Sequence, residues 1–370
     1  MKYSIVALLD SFKRDVNAYV NEAFSDSTNR ADEIDRWIPF KEYADLELLA
    51  VKYESFPTIG RLIASDGEVP NERTRTKLKA ELLKQCKIGK SELYTSTDFD
   101  RIKRMNEMLA AGGASATTAR EIRNSFLVRP AGQVPRLFDT ARLMQIEIHS
   151  TGILQYKDPV TELELQIDFS GDVTTDNFPA ALTGAARWNQ HATANAVFDL
   201  IAHLRAYKSN AARRLPAAIV MRPELLWDVQ KQDAVRIAAA ALRGLQVDSS
   251  DTAAVAALPD ASKVEIESLI ERSLGKRVPI ATHDSTYNDV DADGNDLEDQ
   301  YFLPDDRYFF VTPKNAENAL LATAENNYRP GVFTLTEVVD KLPRKERSAA
   351  MMGYVPFVRK PRYLGGRTVK

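Results

Sequence analysis

Between Pro135 and Phe169 the apolar residues change period, and that change constrains the fold more than any other feature of the sequence. Leu137, Ala141, Met144 and Ile148 recur at steps of four, three and four, which is one stripe of an α-helix. Phe138, Leu143 and Ile146 widen the stripe, so the helix is expected to be covered on much of its surface. Pro135 suits its first turn and Gly152 its end. Leu163, Leu165, Ile167 and Phe169 then alternate with Glu162, Glu164, Gln166 and Asp168, the period of a half-buried strand.

The rest of the chain mixes helices and strands, an α+β pattern. Residues 1–50 read as partly helical, with a short amphipathic stretch at Ile5, Val6, Leu8, Leu9 and Phe12. Residues 51–97 are charged and poor in core-forming periodicity, a long excursion from the body. Asp98 is expected to cap a helix carrying Phe99, Ile102, Met105 and Leu109 that stops at Gly112 and Gly113; beyond it, to 134, the pattern loosens. Trp188 precedes a helix with Val197, Leu200, Ile201 and Leu204 in line. Residues 217–221 read as a buried strand, and Pro223 opens a helix carrying Leu226 and Trp227. A further helix ends at Gly275. The last thirty residues are basic and hold Pro343, Pro356 and Pro361.

At 370 residues the chain is long for one domain. A net charge of −3 lacks the basic excess of a dedicated nucleic-acid binder. The single cysteine, Cys86, rules out an internal disulfide framework. Charges interrupt the N-terminal apolar run, so no signal peptide fits, and no window approaches the length of a membrane span.

The acidic stretch Asp289–Gln300 begins like a calcium loop. Asp289, Asp291, Asp293 and Gly294 match the first half of an EF-hand, but its closing position holds Gln300, an amide. Both flanks read as strand, and Asp293, Gly294 and Asn295 are hairpin-turn residues. A solvated hairpin tip and a weak metal site at Asp289, Asp291 and Asp293 are the two readings. Gly89-Lys90-Ser91 lacks the upstream glycine of a phosphate loop, since position 84 is Lys84. The four histidines are scattered. His149, at a helix end, suits the dipole as a cation, and His203 follows a core-facing pair. No nucleophile–base pair and no cofactor motif is visible, so no enzyme activity and no cofactor are expected.

The order of these pieces resembles the lambda-type major capsid protein family of tailed bacteriophages, whose fold is of the Hong Kong 97 type. Residues 148–158, IHSTGILQYKD, are similar to the family's exit from its spine helix into the long sheet of the peripheral domain, and LELQIDFSGD to the strand after it. AARWNQHATANAVFDLIAHL resembles the start of the axial domain. HDSTYNDVDADGNDLEDQYFLPDDRYFFVTP resembles the family's Tyr–Asp–Gly hairpin and Pro-Asp turn, and YRPGVFTLTEV with YVPFVRKPRYL the return to the peripheral domain. The additional segment at 98–134 departs from the family pattern.

The resemblance implies an N-terminal arm at 1–50, an extended loop at 51–97, a peripheral domain at 98–195 with its spine helix about 135–151, an axial domain at 196–335 and a return at 336–370. It implies a major capsid protein in pentamers and hexamers that form an icosahedral head around double-stranded DNA, made in the host cytoplasm. Leu137, Ala141, Met144 and Ile148 would be the spine-helix core, and Arg73, Arg75, Lys77 and Lys79 would meet a neighbouring subunit. The short arm leaves little room for a fused scaffold, which implies a separate scaffolding protein beside portal and decoration or cement proteins. The basic C-terminal segment would contact DNA non-specifically or hold a neighbour, or be a solvated tail. An encapsulin-like compartment shell, a calcium-responsive binding protein and an unrecognised hydrolase are the alternatives.

Overall fold

The computed structural model describes residues 4–29, 34–45, 47–55, 76–84, 86–112, 114–157, 164–169, 175–211, 213–290, 296–341 and 344–370. Helices α1 (Ile5–Ser11) and α2 (Lys13–Asn29) open the chain. They do not form an arm reaching away: Ile5, Leu9, Val16 and Val20 are buried in the chain's own core. Strands β1 (Phe40–Tyr43), β2 (Glu47–Ser55), β3 (Thr76–Lys84) and β4 (Cys86–Tyr94) follow. The expected excursion therefore contains a strand of the body, because β4 pairs along the C-terminal strand from Tyr94↔Glu346 to Cys86↔Tyr354.

Helix α3 (Ser96–Ala111) starts one turn earlier than Asp98 suggested. Thr95 is the cap, and Asp98 lies inside the first turn, where its carboxylate accepts from the Thr95 N–H and hydroxyl. The 111–134 stretch holds a full helix, α4 (Ala114–Val128), packed through Phe126 and Leu127. Its mixed surface hid it from periodicity. Helix α5 (Val134–Thr151) carries the predicted stripe and ends at Gly152, whose φ of 78° is left-handed.

Among the described strands, β5 (Ile153–Lys157) and β6 (Glu164–Asp168) form a two-stranded ribbon of their own rather than joining the long sheet. Helix α6 (Ala196–Asn210), strand β7 (Ala218–Met221) and helices α7 (Pro223–Lys231), α8 (Asp233–Leu242), α9 (Thr252–Ala256) and α10 (Lys263–Leu274) build a second body. Ser262 and Glu265 make a capping box for α10, and Gly275 ends it. Trp227 of α7 is 55% exposed, not core.

Strand β8 (Ile280–Thr282) is followed by the hairpin β9 (Thr286–Val290) and β10 (Asp296–Tyr301), then β11 (Arg307–Val311), β12 (Ala316–Leu321), β13 (Val332–Lys341), β14 (Arg344–Val358) and β15 (Gly366–Thr368). The second body's sheet runs β15-β11-β7-β8. The first body's sheet runs β1-β12-β14-β13, with β4 also on β14. Two expectations change here. Residues 316–335 belong with the first body, because β12 and β13 both pair with β14. The basic C-terminal segment is no tail: Met352, Tyr354, Val355 and Val358 are buried in the middle of the sheet.

The bodies meet where α5 packs on β11 and β15. Gly366 lies there because a side chain would meet the Ser150 carbonyl oxygen at 2.7 Å and that of Tyr308 at 3.0 Å.

Candidate assembly surfaces

Helix α5 is the fixed reference of the first body. Leu137, Ala141, Met144 and Ile148 are at most 3% exposed. Polar bonds also set its rotation. The Tyr354 hydroxyl donates to the Ala141 carbonyl (3.1 Å), Gln145 donates to the Glu317 carbonyl (3.0 Å), and the Ala350 N–H donates to Gln133 (3.1 Å).

Three buried charges tie the N-terminal residues to this frame. Arg142, 1% exposed, holds Asp35 at 2.6 Å, Asp139 at 3.0 Å and the Ser27 carbonyl at 3.0 Å. Glu346, 0% exposed, accepts from the Ser4 hydroxyl (2.9 Å) and the Val6 N–H (2.8 Å) at the start of α1. Glu317 accepts from Lys41, Tyr43 and Arg359. Burial works against its charge, but the Lys41 and Tyr43 hydrogen bonds and the Arg359 charge outweigh it and hold the carboxyl below its usual range. Burial and the neighbouring carboxylate push the Tyr43 phenol up to about 12.

His149 and His203 are structural in their contacts. Burial pushes His149 down to about 4, so it is neutral. Its Nδ1–H donates to the Gln145 carbonyl at 2.8 Å. The expected cation–dipole pairing fails because desolvation exceeds the helix-end attraction. Burial likewise lowers His203 to about 4. Its Nε2–H donates to the Asn177 carbonyl (3.0 Å) and its Nδ1 accepts from the Tyr308 hydroxyl (2.7 Å). Tyr308 stacks on Trp188 at 5.2 Å. Burial raises the Cys86 thiol to about 11, which removes the thiolate a nucleophile needs. Among the described residues, no group of three or more His, Cys, Asp or Glu is placed to hold a metal.

The flanks of the acidic stretch are the antiparallel strands β9 and β10, not the two helices of an EF-hand. Asp289 pairs with Leu297 in this ladder. Asp291, Asp293, Gly294 and Asn295 lie outside the described residues. The Arg222 guanidinium sits over the Tyr301 ring at 3.5 Å, at the base of the hairpin.

Of the four cationic loop residues, Lys77 and Lys79 lie on β3, opposite Glu54 and Lys52 of β2. Arg73 and Arg75 lie outside the described residues. The β2–β3 hairpin runs from Glu47↔Lys84 to Ser55↔Thr76 and pairs only with itself among the described strands. Its apolar alternation, Leu49, Val51 and Tyr53 against Leu78, Ala80 and Leu82, was present in the sequence but masked by the intervening charges. On the first body, α2 and the α4–α5 connection bound an open groove of 480 Å³.

No family model and no curated protein sequence matches the chain. A solved structure assigned as the capsid protein of an E. coli CFT073 prophage is similar over 95% of this chain and 99% of that one, at 14% identity and a TM-score of 0.52. This chain has the Hong Kong 97-type capsid fold. Similar too are the procapsid of satellite phage P4 that includes the size determination protein (10% identity, TM-score 0.46, 94% of this chain and 98% of that one) and a virus-like particle from Pyrococcus furiosus (9%, 0.42, 95% and 98%).

Proposed function

We propose that this chain is a major capsid protein of a tailed bacteriophage, of the lambda-type family. Its copies close as pentamers and hexamers into an icosahedral head around double-stranded DNA. The observation that carries the reading is fold similarity along nearly the whole length of both chains, 95% and 99%. The self-paired β2–β3 hairpin supports it, since a shell subunit needs elements that find partners on neighbours. In this reading the sheet around α5 is the peripheral domain, the α6–α10 body is the axial domain, and the β2–β3 hairpin is the extended loop. The subunit performs no catalysis. Its partners are further copies, a separate scaffolding protein, portal and decoration or cement proteins, and DNA without sequence preference. It is assembled in the host cytoplasm and resides in the virion capsid.

Electron microscopy of the protein, expressed with and without its neighbouring reading frames, tests this. Closed shells, tubes or partial shells support it. Shells filled with a co-purifying protein point to an encapsulin-like compartment. A monomer under both conditions overturns the reading and makes a calcium titration the next step. If loop charge sets register and rate, Lys77→Glu with Lys79→Glu slows or misdirects assembly followed by light scattering. Normal shells at the normal rate would refute that role.

A further inference from the structure

Two helix-to-strand connections of the second body run side by side. Strands β7 and β8 are parallel neighbours, with Ile219 opposite Ile280, and the Ile219 N–H donates to the Pro279 carbonyl at 2.9 Å. The helices that lead into them, α6 and α10, pack together. The Arg205 guanidinium donates to the Ser273 carbonyl at 3.3 Å, which joins the second halves of both helices. The connections after Asn210 and after Leu274 therefore emerge at one end of the body.

That end is basic. Arg205, Lys208, Arg213 and Arg214 lie in the first stretch, and Arg272, Lys276 and Arg277 in the second. Residues 205–214 hold no acid, and residues 271–277 hold only Glu271. Lys208 is half-buried and the other six cations are exposed. Among the described residues, only Arg277 of the seven has a carboxylate in contact, that of Glu267. The helix dipoles account for Lys208 and Arg272, each in a last turn. Arg213, Arg214 and Lys276 lie beyond the helix ends, and Arg213 sits at a left-handed φ of 62°, which its side chain disfavours. The same end has no exposed apolar anchor: the exposed large apolar residues of these two helices, Phe198 and Val264, lie in their first turns. A protein interface needs an apolar core, whereas contacts to phosphates need only cations.

We infer that this end of the second body binds the phosphate backbone of double-stranded DNA without sequence preference. The inference rests on the shell-subunit reading for its ligand and adds the surface that meets it. The basic C-terminal segment, expected to make that contact, is built into the first body's sheet instead. Although the chain carries a net charge of −3, its unpaired cations concentrate here. Phosphate contacts of this kind release counterions, so binding falls steeply with salt.

One variant combines Arg213→Asn, Arg214→Gln and Lys276→Gln, with Asn chosen because it tolerates the left-handed backbone at 213. A second neutralises three exposed cations of α3, by Arg101→Gln, Lys103→Gln and Arg104→Gln. Binding of a fluorescent mixed-sequence DNA duplex to the purified chain is read by anisotropy across a salt series. The first variant is expected to bind about tenfold more weakly at low salt, with a log–log salt slope shallower by about 3, and the α3 variant to bind like the unaltered chain. If the triple variant fails to accumulate, Lys276→Gln alone replaces it, with a slope change of about 1. Equal loss in both variants, or no binding by the unaltered chain, overturns the inference. Poly-glutamate bound more tightly than DNA, and released by the first variant, overturns it in favour of an acidic protein partner. Electron microscopy of the same preparations separates the two readings. Shells without patch-dependent DNA binding overturn this inference alone. Patch-dependent binding without shells supports it and overturns the shell reading. Absence of both overturns both.

Discussion

The two bodies solve the same problem, joining segments far apart in sequence, with different chemistry. The first body adds buried charge to neutral bonds such as that of Tyr354 to Ala141. Glu346 reaches back to Ser4, Arg142 to Asp35, and Glu317 to Lys41 and Tyr43. The second body joins its distant segments mainly with neutral groups. Gln232 accepts from the Ala196 N–H and donates to the Trp188 carbonyl, and His203 bridges Asn177 and Tyr308. Its buried carboxylate, Glu267, is local, binding Arg277 and the Ile280 N–H. A misplaced neutral group strands a hydrogen bond, whereas a misplaced buried charge costs far more. The first body therefore dictates which N-terminal residue meets which site, even where the net stabilisation is small.

The contrast is broken most sharply at Arg142. Arg142→Ala removes the buried cation that Asp35, Asp139 and the Ser27 carbonyl share and is expected to cost about 3–5 kcal/mol in a denaturant titration. A loss below about 1 kcal/mol would mean the charge is not an organising contact.

Acid sharpens the contrast by separating the chemistries. His149 and His203 titrate near 4 when folded, against 6.5 for the free side chain, so the unfolded chain binds more protons in between. Their contribution is complete above pH 6.5 and drains as pH falls towards 4, roughly 3 kcal/mol each at the limit. His203→Gln should remove its share of that slope, measured as denaturant midpoints between pH 7 and pH 4.5. The Glu317 site behaves differently. Its folded carboxyl lies below the usual 4.5, so its contribution is present above that value and is lost only as pH falls further. Glu317→Gln at pH 7 is expected to cost about 1–3 kcal/mol by replacing charge-assisted hydrogen bonds at a buried carboxylate with neutral ones, read from the thermal midpoint.

The smallest effect should come from a surface pair of the same sheet. Arg347 and Glu337 are each about half exposed, so Arg347→Ala is expected to change stability by about 0–1 kcal/mol. A loss as large as that of Arg142→Ala would show that burial is not what separates these ion pairs.

Much of the fold was legible where local rules decide it. The stripe from Leu137 to Ile148 became the buried face of α5, and residues 218–221 became the fully buried β7. What failed was mostly partnership. The alternation ending at Phe169 marked a strand, but nothing in it says that, among the described strands, β6 pairs with β5. Helix α4 was missed because its short apolar face, with Phe126 and Leu127, is diluted by polar residues. The candidate surface was half visible: the loop's basic residues stood out, while the pairing of β2 with β3 became clear only from the structure.

The sequence by itself determined the helix stripes and the left-handed stops at Gly152 and Gly275. Each depends on atoms within a few residues. Only the tertiary structure decided that β4 lies against β14, that the basic C-terminal residues run through the middle of a sheet, and that His149 carries no charge. Strand partnership depends on which apolar faces meet after chain closure, and protonation on how much water burial removes. Neither is a property of a local window of sequence.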